Sequence, residues 1–402
     1  MKATLRPTMI ILLAATCLTA PARAEDVHPA VAAILKTWEA QLDAKPTYEK
    51  IEADSSGNVT ISNLTAAVGG RDPSTSIKLS IGSITLENVA AEADGMIDVG
   101  AASFNDTKLE FSAANKTAIL VEVPKGTAEH WYVPVAGDNP TPRQAFRASM
   151  SIARKMTSGE IKVTADGQTF SARGVETFWD GDPVTGAGKS MVSFNDIVIP
   201  EAALAMMDPS GQMKALGYGD LTFNVTGTGE FSVTEGNFGM SGNVSFAGKD
   251  MAGLTLSYGA NDVPMAVMVE LQAAQKSGRQ PDMNMLMPQL MNVSLSNLQI
   301  RFDDASITKK VLPLIAKMQG MDEAAMVANA GAMMQLSLMQ LKSQVFTDQV
   351  VAAVNTFLKD PKSITVSLKP AAPVKVQQLM MLDPTNPGAA IDLLGLSVTA
   401  ND

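Results

Sequence analysis

The chain has 402 residues, with 31 Lys+Arg, 41 Asp+Glu, two His, one Cys and 25 Met. With 46% hydrophobic and 18% charged residues it can build a large core, and neither a disordered nor a fibrous composition fits. Two His and one Cys exclude a His/Cys metal cluster, a zinc finger and a disulfide framework, and a net charge of −10 argues against a nucleic-acid partner, which demands a basic face.

Residues 1–24 read as an export leader. Lys2 and Arg6 supply the positive start, 9–18 is the apolar core, and Ala22-Arg23-Ala24 is a small-residue cleavage site. The apolar run is short of the roughly 20 residues that a membrane span needs. Cys17 follows Ala14-Ala15-Thr16, a poor lipid-attachment signal because Thr is bulky and polar where a small residue is expected. Cleavage after Ala24 removes three basic residues and the only Cys. It leaves 28 basic residues against 41 acidic, a net −13, and 23 Met. The expected compartment is the periplasm. The seven N-x-[ST] triplets, such as those at Asn58 and Asn243, are then ordinary strand and turn residues rather than glycan acceptors.

Helical spacing of Val31, Ile34, Leu35, Trp38 and Leu42 predicts an amphipathic helix over 29–45. From 46 to 124 the period switches to two, clearest over 76–86, as in a half-buried antiparallel strand. A Pro-rich loop at 134–142 leads to Thr141-Pro142-Arg143-Gln144, a capping box that predicts a helix running to about Thr157. Strands are expected over 159–172, 174–179 and 189–199, then a helix over 200–216. The segment 217–262 reads as strands cut by glycines, 264–292 as helix, 295–302 as strand, and 304–359 as two or three helices. Strand 363–368, a short helix near 376–382 and strand 395–400 close the chain.

One hexamer recurs: aliphatic, Ser/Thr, apolar, polar, Asn/Asp, apolar. It occurs as Val59-Thr60-Ile61-Ser62-Asn63-Leu64, and again from Ile84 to Val89, Val192 to Ile197 and Val293 to Leu298, with a weaker copy from Ala102 to Thr107. The Asn/Asp is expected where the strand bulges or ends, a place its side chain tolerates. The spacing is irregular, so the pattern predicts a long, repeatedly extended antiparallel sheet rather than a solenoid. These hexamers, the segment Leu216-Gly217-Tyr218-Gly219-Asp220-Leu221-Thr222-Phe223, and the tail with Phe357-Leu358-Lys359-Asp360-Pro361 and residues 394–401 resemble uncharacterised exported proteins of alphaproteobacteria. The long sheets are more distantly similar to AsmA-like envelope proteins, which implies lipid handling; neither resemblance carries a functional residue.

Several motifs fail in their context. Gly186-Ala187-Gly188-Lys189-Ser190 resembles the end of a phosphate-binding loop, but Pro183 stands where its first glycine belongs and a strand follows. Ser306-Ile307-Thr308-Lys309 matches the S-x-x-K of penicillin-recognising enzymes without its later partners, and Asp304 or Ser306 reads as a helix cap. His130 is the one plausible imidazole base, beside Glu129 and Trp131, and no nucleophile elbow accompanies it. Asp180-Gly181-Asp182 and Asp303-Asp304 read as turns and caps rather than calcium loops.

Methionine is the compositional outlier, with 12 of them between Met265 and Met339. Flexible thioethers suit an apolar surface that adapts to its partner. Core filling competes with that use, and Met283-x-Met285-x-Met287 also resembles a thioether copper site. The expected ligand-contacting set is Met265, Met268, Met283, Met285, Met287, Met291, Met326, Met333 and Met334. The charge-free stretch 324–341 reads as a helix buried on several sides, or as one that leaves the sheet to touch a bilayer. Arg143, Arg147 and Arg154 fall within about 40° of one another on a helix, a basic stripe that would meet anionic headgroups or an acidic partner.

The expected organisation is a leader over 1–24, an N-terminal helix over 25–45, a β-rich body with inserted helices over 46–303, a helical segment over 304–361 and a strand–helix–strand closure over 362–402. The fold class is α+β: a long, curved antiparallel sheet with helices at 29–45, 141–157, 200–216 and 264–359 on its concave face. The expected function is a non-enzymatic periplasmic envelope protein that binds a lipid or other hydrophobic molecule between sheet and Met-rich helices. It needs no cofactor or metal, and it touches a membrane peripherally without spanning it. The alternatives are a scaffold binding another envelope protein and, third, an enzyme without a recognisable motif.

Overall fold

The computed structural model describes residues 29–402 apart from 43, 70–74, 92–94, 114–115, 136–139, 149, 151, 209 and 278. The expected leader, its cleavage after Ala24, Cys17 and His28 lie outside the described residues. The fold is α+β, mostly antiparallel sheet, and the chain divides into two compact units that meet between Ala203 and Leu204.

In the N-terminal unit, helix α1 (Pro29–Leu42) precedes a short β1 (Lys50–Ala53) and four long strands, β2 (Val59–Gly69), β3 (Thr75–Ala91), β4 (Met96–Ala113) and β5 (Lys116–Pro134). These five pair in order as an antiparallel meander. The far edge of β5 is shared: β6 (Ile152–Ser158) takes one half and β7 (Ile161–Ala165) the other. Strands β8 (Gln168–Ala172), β9 (Gly174–Gly181) and β10 (Gly188–Ile199) continue both branches. The expected single strand over 159–172 is a hairpin. Its corner is Asp166-Gly167, both at positive φ (50° and 78°), a two-residue turn for which Asp-Gly is suited.

The long strands slip phase in step. Buried side chains alternate as Val59 and Ile61, then skip to Leu64 and Ala66; β3 goes from Leu79 and Ile81 to Ile84 and Leu86; β4 goes from Val99 to Ala102 and Phe104, then to Thr107 and Leu109. Each three-residue step lets the strand keep one face in the core, and it falls either at a residue with left-handed backbone or at the glycine opposite one. Asn63 (φ 50°), Asn88 (53°), Asp106 (54°) and His130 (45°) are the left-handed residues. The register sets Asn63 and Asp106 on either side of Gly82, and Asn88 and His130 on either side of Gly100. Two lines of slips therefore cross the sheet, and pairing on each side of a line stays in register.

The glycines are demanded by contact. A Cβ on Gly82 would lie 3.1 Å from the Cβ of Asp106, and one on Gly100 would lie 3.0 Å from that of Asn88. Asn and Asp accept the left-handed conformation better than other residues with a side chain. The recurring hexamer thus has a backbone cause: Asp196, its fourth instance, also has positive φ (48°), and Asn297 sits opposite Gly259 where the β13–β14 register shifts.

The face kept apolar by these slips is covered by α1. Ile34 and Trp38 are fully buried among Ile61, Leu64, Ile81, Ile84 and Val99. Trp38 stacks on Trp131 at 5.3 Å, and Phe104 meets Trp131 edge-on at 5.9 Å. The Thr37 hydroxyl donates to the Pro134 carbonyl at 3.1 Å.

Two expected helices are shorter than their patterns. The capping box at Thr141 forms, with the Gln144 amide donating to Thr141 Oγ1 and the Thr141 amide to Gln144 Oε1, but α2 (Pro142–Ala148) then gives way to β6. Residues 152–158 pair with both β5 and β9, and that ladder outweighs local helix propensity. Residues 200–216 form α3 (Glu201–Met207) and α4 (Gln212–Ala215), broken where Asp208 takes the Met213 amide and Gly211 turns left-handed (φ 67°).

The C-terminal unit is a second antiparallel array. Strands β11 (Leu221–Val233), β12 (Asn237–Gly248), β13 (Ala252–Pro264), β14 (Ser294–Asp304), β15 (Ser363–Leu368) and β17 (Leu396–Ala400) pair in that order. The short β16 (Val374–Lys375) pairs with the start of β14. Between β13 and β14 come α5 (Met265–Ser277) and α6 (Met283–Leu290). Between β14 and β15 come α7 (Ile307–Met318), α8 (Glu323–Leu338), a 3-10 turn (Met339–Leu341) and α9 (Gln344–Lys359). Helices α10 (Val376–Met380) and α11 (Pro387–Leu394) precede β17.

Replacing Gly82 or Gly100 by Ala should each lower stability by about 1–3 kcal/mol, because the new methyl forces the Cβ of Asp106 or Asn88 to give way. Lys78→Ala, at an exposed position of β3, should stay within about 0.5 kcal/mol. Urea midpoints decide: equal shifts for all three would dismiss crowding at the glycines.

Candidate functional site

The C-terminal sheet has one polar and one apolar face. On the polar face Arg301 bonds Asp303 (Nε to Oδ1, 2.9 Å) and Asp402 (Nη1 to Oδ1, 3.2 Å), among Ser363, Thr365 and Thr399. On the other face the register lines up Phe246, Leu254 and Phe302 across three strands, and Val244, Leu256, Ile300, Val366 and Val398 across five.

Helix α9 covers one end of this apolar face. Phe346, Val350 and Ala353 pack with Ile364, Leu396 and Val398, and Phe357 meets Phe302 edge-on at 6.0 Å. The cover stops there. Phe246, Leu254, Leu256, Ile300 and Val366 keep 37–47% of their surface exposed, though side chains of this kind belong in a core. Five such neighbours form a contiguous apolar patch, which soluble proteins seldom leave without use.

The helices nearby add exposed thioethers, but the nine methionines singled out above do not line one wall. Met265 begins α5 fully buried, its amide donating to the Gly236 carbonyl, so it is core and cannot touch a ligand. Met283 and Met285 are exposed at the start of α6, and Met268, Met287 and Met291 are half-buried. In this helix Met285 points about 200° away from both Met283 and Met287, so the three sulfurs cannot close on one copper ion. Met334 packs against the α9 cluster, Met326 is half-buried and Met333 is exposed.

The reading of 324–341 as a helix buried on several sides is also corrected. Helix α8 buries only the line through Gly331, which abuts the Asn355 amide of α9; a Cβ there would lie 2.9 Å from it. Met333, Leu336 and Met339 face outward, as does Val345 at the start of α9. Among the described residues no helix is long and apolar enough to cross a membrane.

The proposed arginine stripe does not exist. Arg154 lies on β6, not on the helix of Arg143 and Arg147. Arg147 is buried and spends its guanidinium on three carbonyls: Pro183 (Nε, 2.5 Å), Met150 (Nη1, 2.9 Å) and Tyr132 (Nη2, 3.2 Å). Burial, opposed by the charge of Asp182, pushes Arg147 down to about 10, so it stays charged at neutral pH while stapling β5, α2 and the β9–β10 loop. It cannot meet a headgroup. Asp182 orders that loop by accepting from the Val184 amide and the Thr185 hydroxyl, which is the turn role expected of it.

Sequence reasoning undervalued His130. It is the one left-handed slip residue that is neither Asn nor Asp, and its Nδ1 lies 2.9 Å from Asp98 Oδ2. Tyr132 lies beside it and takes a hydrogen bond from Arg154 Nε at 3.1 Å. The other Asp98 oxygen and the Trp179 indole N–H are buried without a protein partner. The signal was there: His130 occupies the place of Asn/Asp in the phase-slip pattern. Among the described residues, no group of three or more His, Cys, Asp or Glu is placed to hold a metal ion. The Ser306 hydroxyl donates to the Asp250 carbonyl at 2.6 Å, and Asp304 caps α7 through the Thr308 amide.

A family model described as an uncharacterized protein matches residues 245–401. The match runs from the end of β12 to β17, so it takes in the open apolar face and all the helices beside it. No curated protein matches the chain.

Arg147→Ala should destabilise the N-terminal unit by about 2–4 kcal/mol, since three carbonyls lose their donor. Arg154→Ala, at an exposed position, should cost about 1 kcal/mol or less. Thermal melting of the two variants separates staple from surface charge; similar losses would refute the staple.

Proposed function

We propose that this is a non-enzymatic periplasmic envelope protein that binds a lipid or another hydrophobic ligand on the open apolar face of its C-terminal sheet, beside the Met-rich helices. The observation that carries this reading is the cross-strand patch of Phe246, Leu254, Leu256, Ile300 and Val366, left exposed next to a helix that covers the rest of the same face. At about 25 cal/mol per Å² of apolar surface, covering five such side chains is worth several kcal/mol. An acyl chain supplies that cover without needing polar partners from the protein. The export-leader pattern at the start of the sequence supports the compartment, and the resemblance of the sequence's expected long sheets to AsmA-like proteins is in keeping with the ligand class.

A second reading is a scaffold for another envelope protein. It is favoured by the outward face of α8, where Met333, Leu336 and Met339 stand beside Val345 without cover. A partner protein would hide that helix face first, whereas a small ligand would hide the sheet.

Native mass spectrometry of the protein purified from a bacterial periplasm, followed by organic extraction, tests the two. The expected outcome is a co-purifying apolar mass that is lost in Leu254→Asp and Ile300→Asp with the fold retained by circular dichroism. A bare protein at its sequence mass would end the ligand reading and leave cross-linking through α8 as the next measurement.

A further inference from the structure

Asn63, Asn88 and Asp106 fill their slip positions with short polar side chains, so the backbone does not require an imidazole at His130. What surrounds that imidazole is a connected set of polar groups. His130 Nδ1 lies 2.9 Å from Asp98 Oδ2. An ionised carboxylate only accepts, so Nδ1 carries the donated proton and Nε2 is directed away from Asp98, on a ring that is half exposed. The Asp98 side chain is largely buried and its other oxygen is sealed without a partner, so the bond to His130 is what holds it.

Arg154 completes the set from the next strand. The register pairs Glu129 with Lys155 and Trp131 with Ala153, which sets His130 opposite Arg154 across β5 and β6. Buried Tyr132 touches both. Its ring lies along the imidazole, with centroids 6.3 Å apart and planes 21° apart, and its hydroxyl accepts from Arg154 Nε at 3.1 Å. Tyr132 is itself fixed edge-on against Trp179 at 6.1 Å and through its carbonyl by Arg147. Among the described residues neither Nη atom of Arg154 has a hydrogen-bond partner.

We propose that Arg154 and His130 bind a small, soluble phosphate monoester, with Asp98 and Tyr132 as positioning residues. The site belongs to the N-terminal unit and does not rest on the ligand reading above. The two Nη atoms form a planar fork that holds two phosphate oxygens. The third oxygen falls to His130 Nε2. One proton lies on that line, brought by an imidazolium to a dianion or by a monoanion to a neutral ring, so the complex has the same composition either way. A carboxylate has only two oxygens, which the fork alone would take, leaving the imidazole unused. A metal ion is disfavoured, because the Arg154 charge stands across from Nε2. The net −10 of the chain opposes a polyanionic surface, while screening over a Debye length of about 8 Å spares a small guest in contact with the site.

The test uses the full chain with labelled histidine, titrated at mildly acidic pH with inorganic phosphate and, as the two-oxygen control, acetate. The chain has only two His, so imidazole signals are simple to read by NMR. His130→Asn, the residue already used at two other slips, identifies the His130 signal and keeps the fold. Phosphate should move that signal saturably and leave the other in place, with acetate at least about tenfold weaker. By calorimetry, His130→Asn and Arg154→Gln should each weaken phosphate by about tenfold with unchanged circular dichroism. Asp98→Asn should change the tautomer reported by the His130 ring nitrogens and weaken phosphate as well. No saturable shift, equal affinity for acetate, or full phosphate affinity in folded Arg154→Gln would overturn the proposal. Sedimentation with phosphatidic acid vesicles is the last arm. Capture that His130→Asn abolishes, without binding of inorganic phosphate, would assign these residues to a lipid headgroup and overturn the soluble guest.

Discussion

The N-terminal sheet depends on one contact: a left-handed residue on one strand lying against a glycine on the next. Strands of 17, 18 and 19 residues twist too much to keep one face on a straight line of core side chains. Each slip resets the alternation by one residue, and because all the long strands slip along the same two lines the hydrogen-bonded ladder is interrupted rather than displaced. The cost is a strained backbone at Asn63, Asn88, Asp106 and His130 and the loss of a side chain at Gly82 and Gly100. The return is an apolar face unbroken from Ile61 to Trp131, which one helix covers through the Trp38–Trp131 stack.

The two units treat their apolar faces differently. In the first, α1 seals the sheet and the large aliphatic residues beneath it are fully buried. In the second, α9 seals only the part over β15, β17 and Phe302, while the helices that follow β13 and β14 carry exposed side chains of their own. An incompletely covered core is costly, since each exposed Leu or Ile forfeits much of the burial energy it would gain elsewhere. A protein of this size has helices enough to finish the cover, and α8 is wholly uncharged after Glu323 yet faces solvent. The open face is the feature on which the proposed ligand reading rests.

Much of the architecture was legible in the residues. Period-two alternation and glycines located the strands, and the hexamer marked the slips because its apolar positions are spaced two and then three apart, which is the step the backbone takes. What stayed hidden was non-local. Residues 152–158 carry no local sign that β5 and β9 will pair with them, so local pattern alone extends the helix of Arg143 and Arg147 too far and puts on it a stripe that tertiary pairing dissolves. Arg147 looked like a surface charge because sequence shows the cation but not the three carbonyls that surround it. The methionines had the converse difficulty. Composition shows that thioethers are plentiful, while the division between a sealed Met265 and an exposed Met333 is decided by which face of which helix reaches the sheet.

An open apolar face has to avoid its own copies, and the charge of the chain bears on that. A net −10 keeps like molecules apart at distances up to the Debye length, about 8 Å at physiological ionic strength. It does not oppose a neutral or zwitterionic ligand, whose approach is governed by the surface it buries. The same charge disfavours a strongly acidic partner, and the buried cation Arg147 of the N-terminal unit is already committed to three carbonyls. Self-repulsion opposes association of the chain with itself and leaves the proposed apolar ligand unopposed. That balance is why the proposed reading places the ligand on the sheet, where Ile300 and Leu254 stand apart from the polar network of Arg301 on the opposite face.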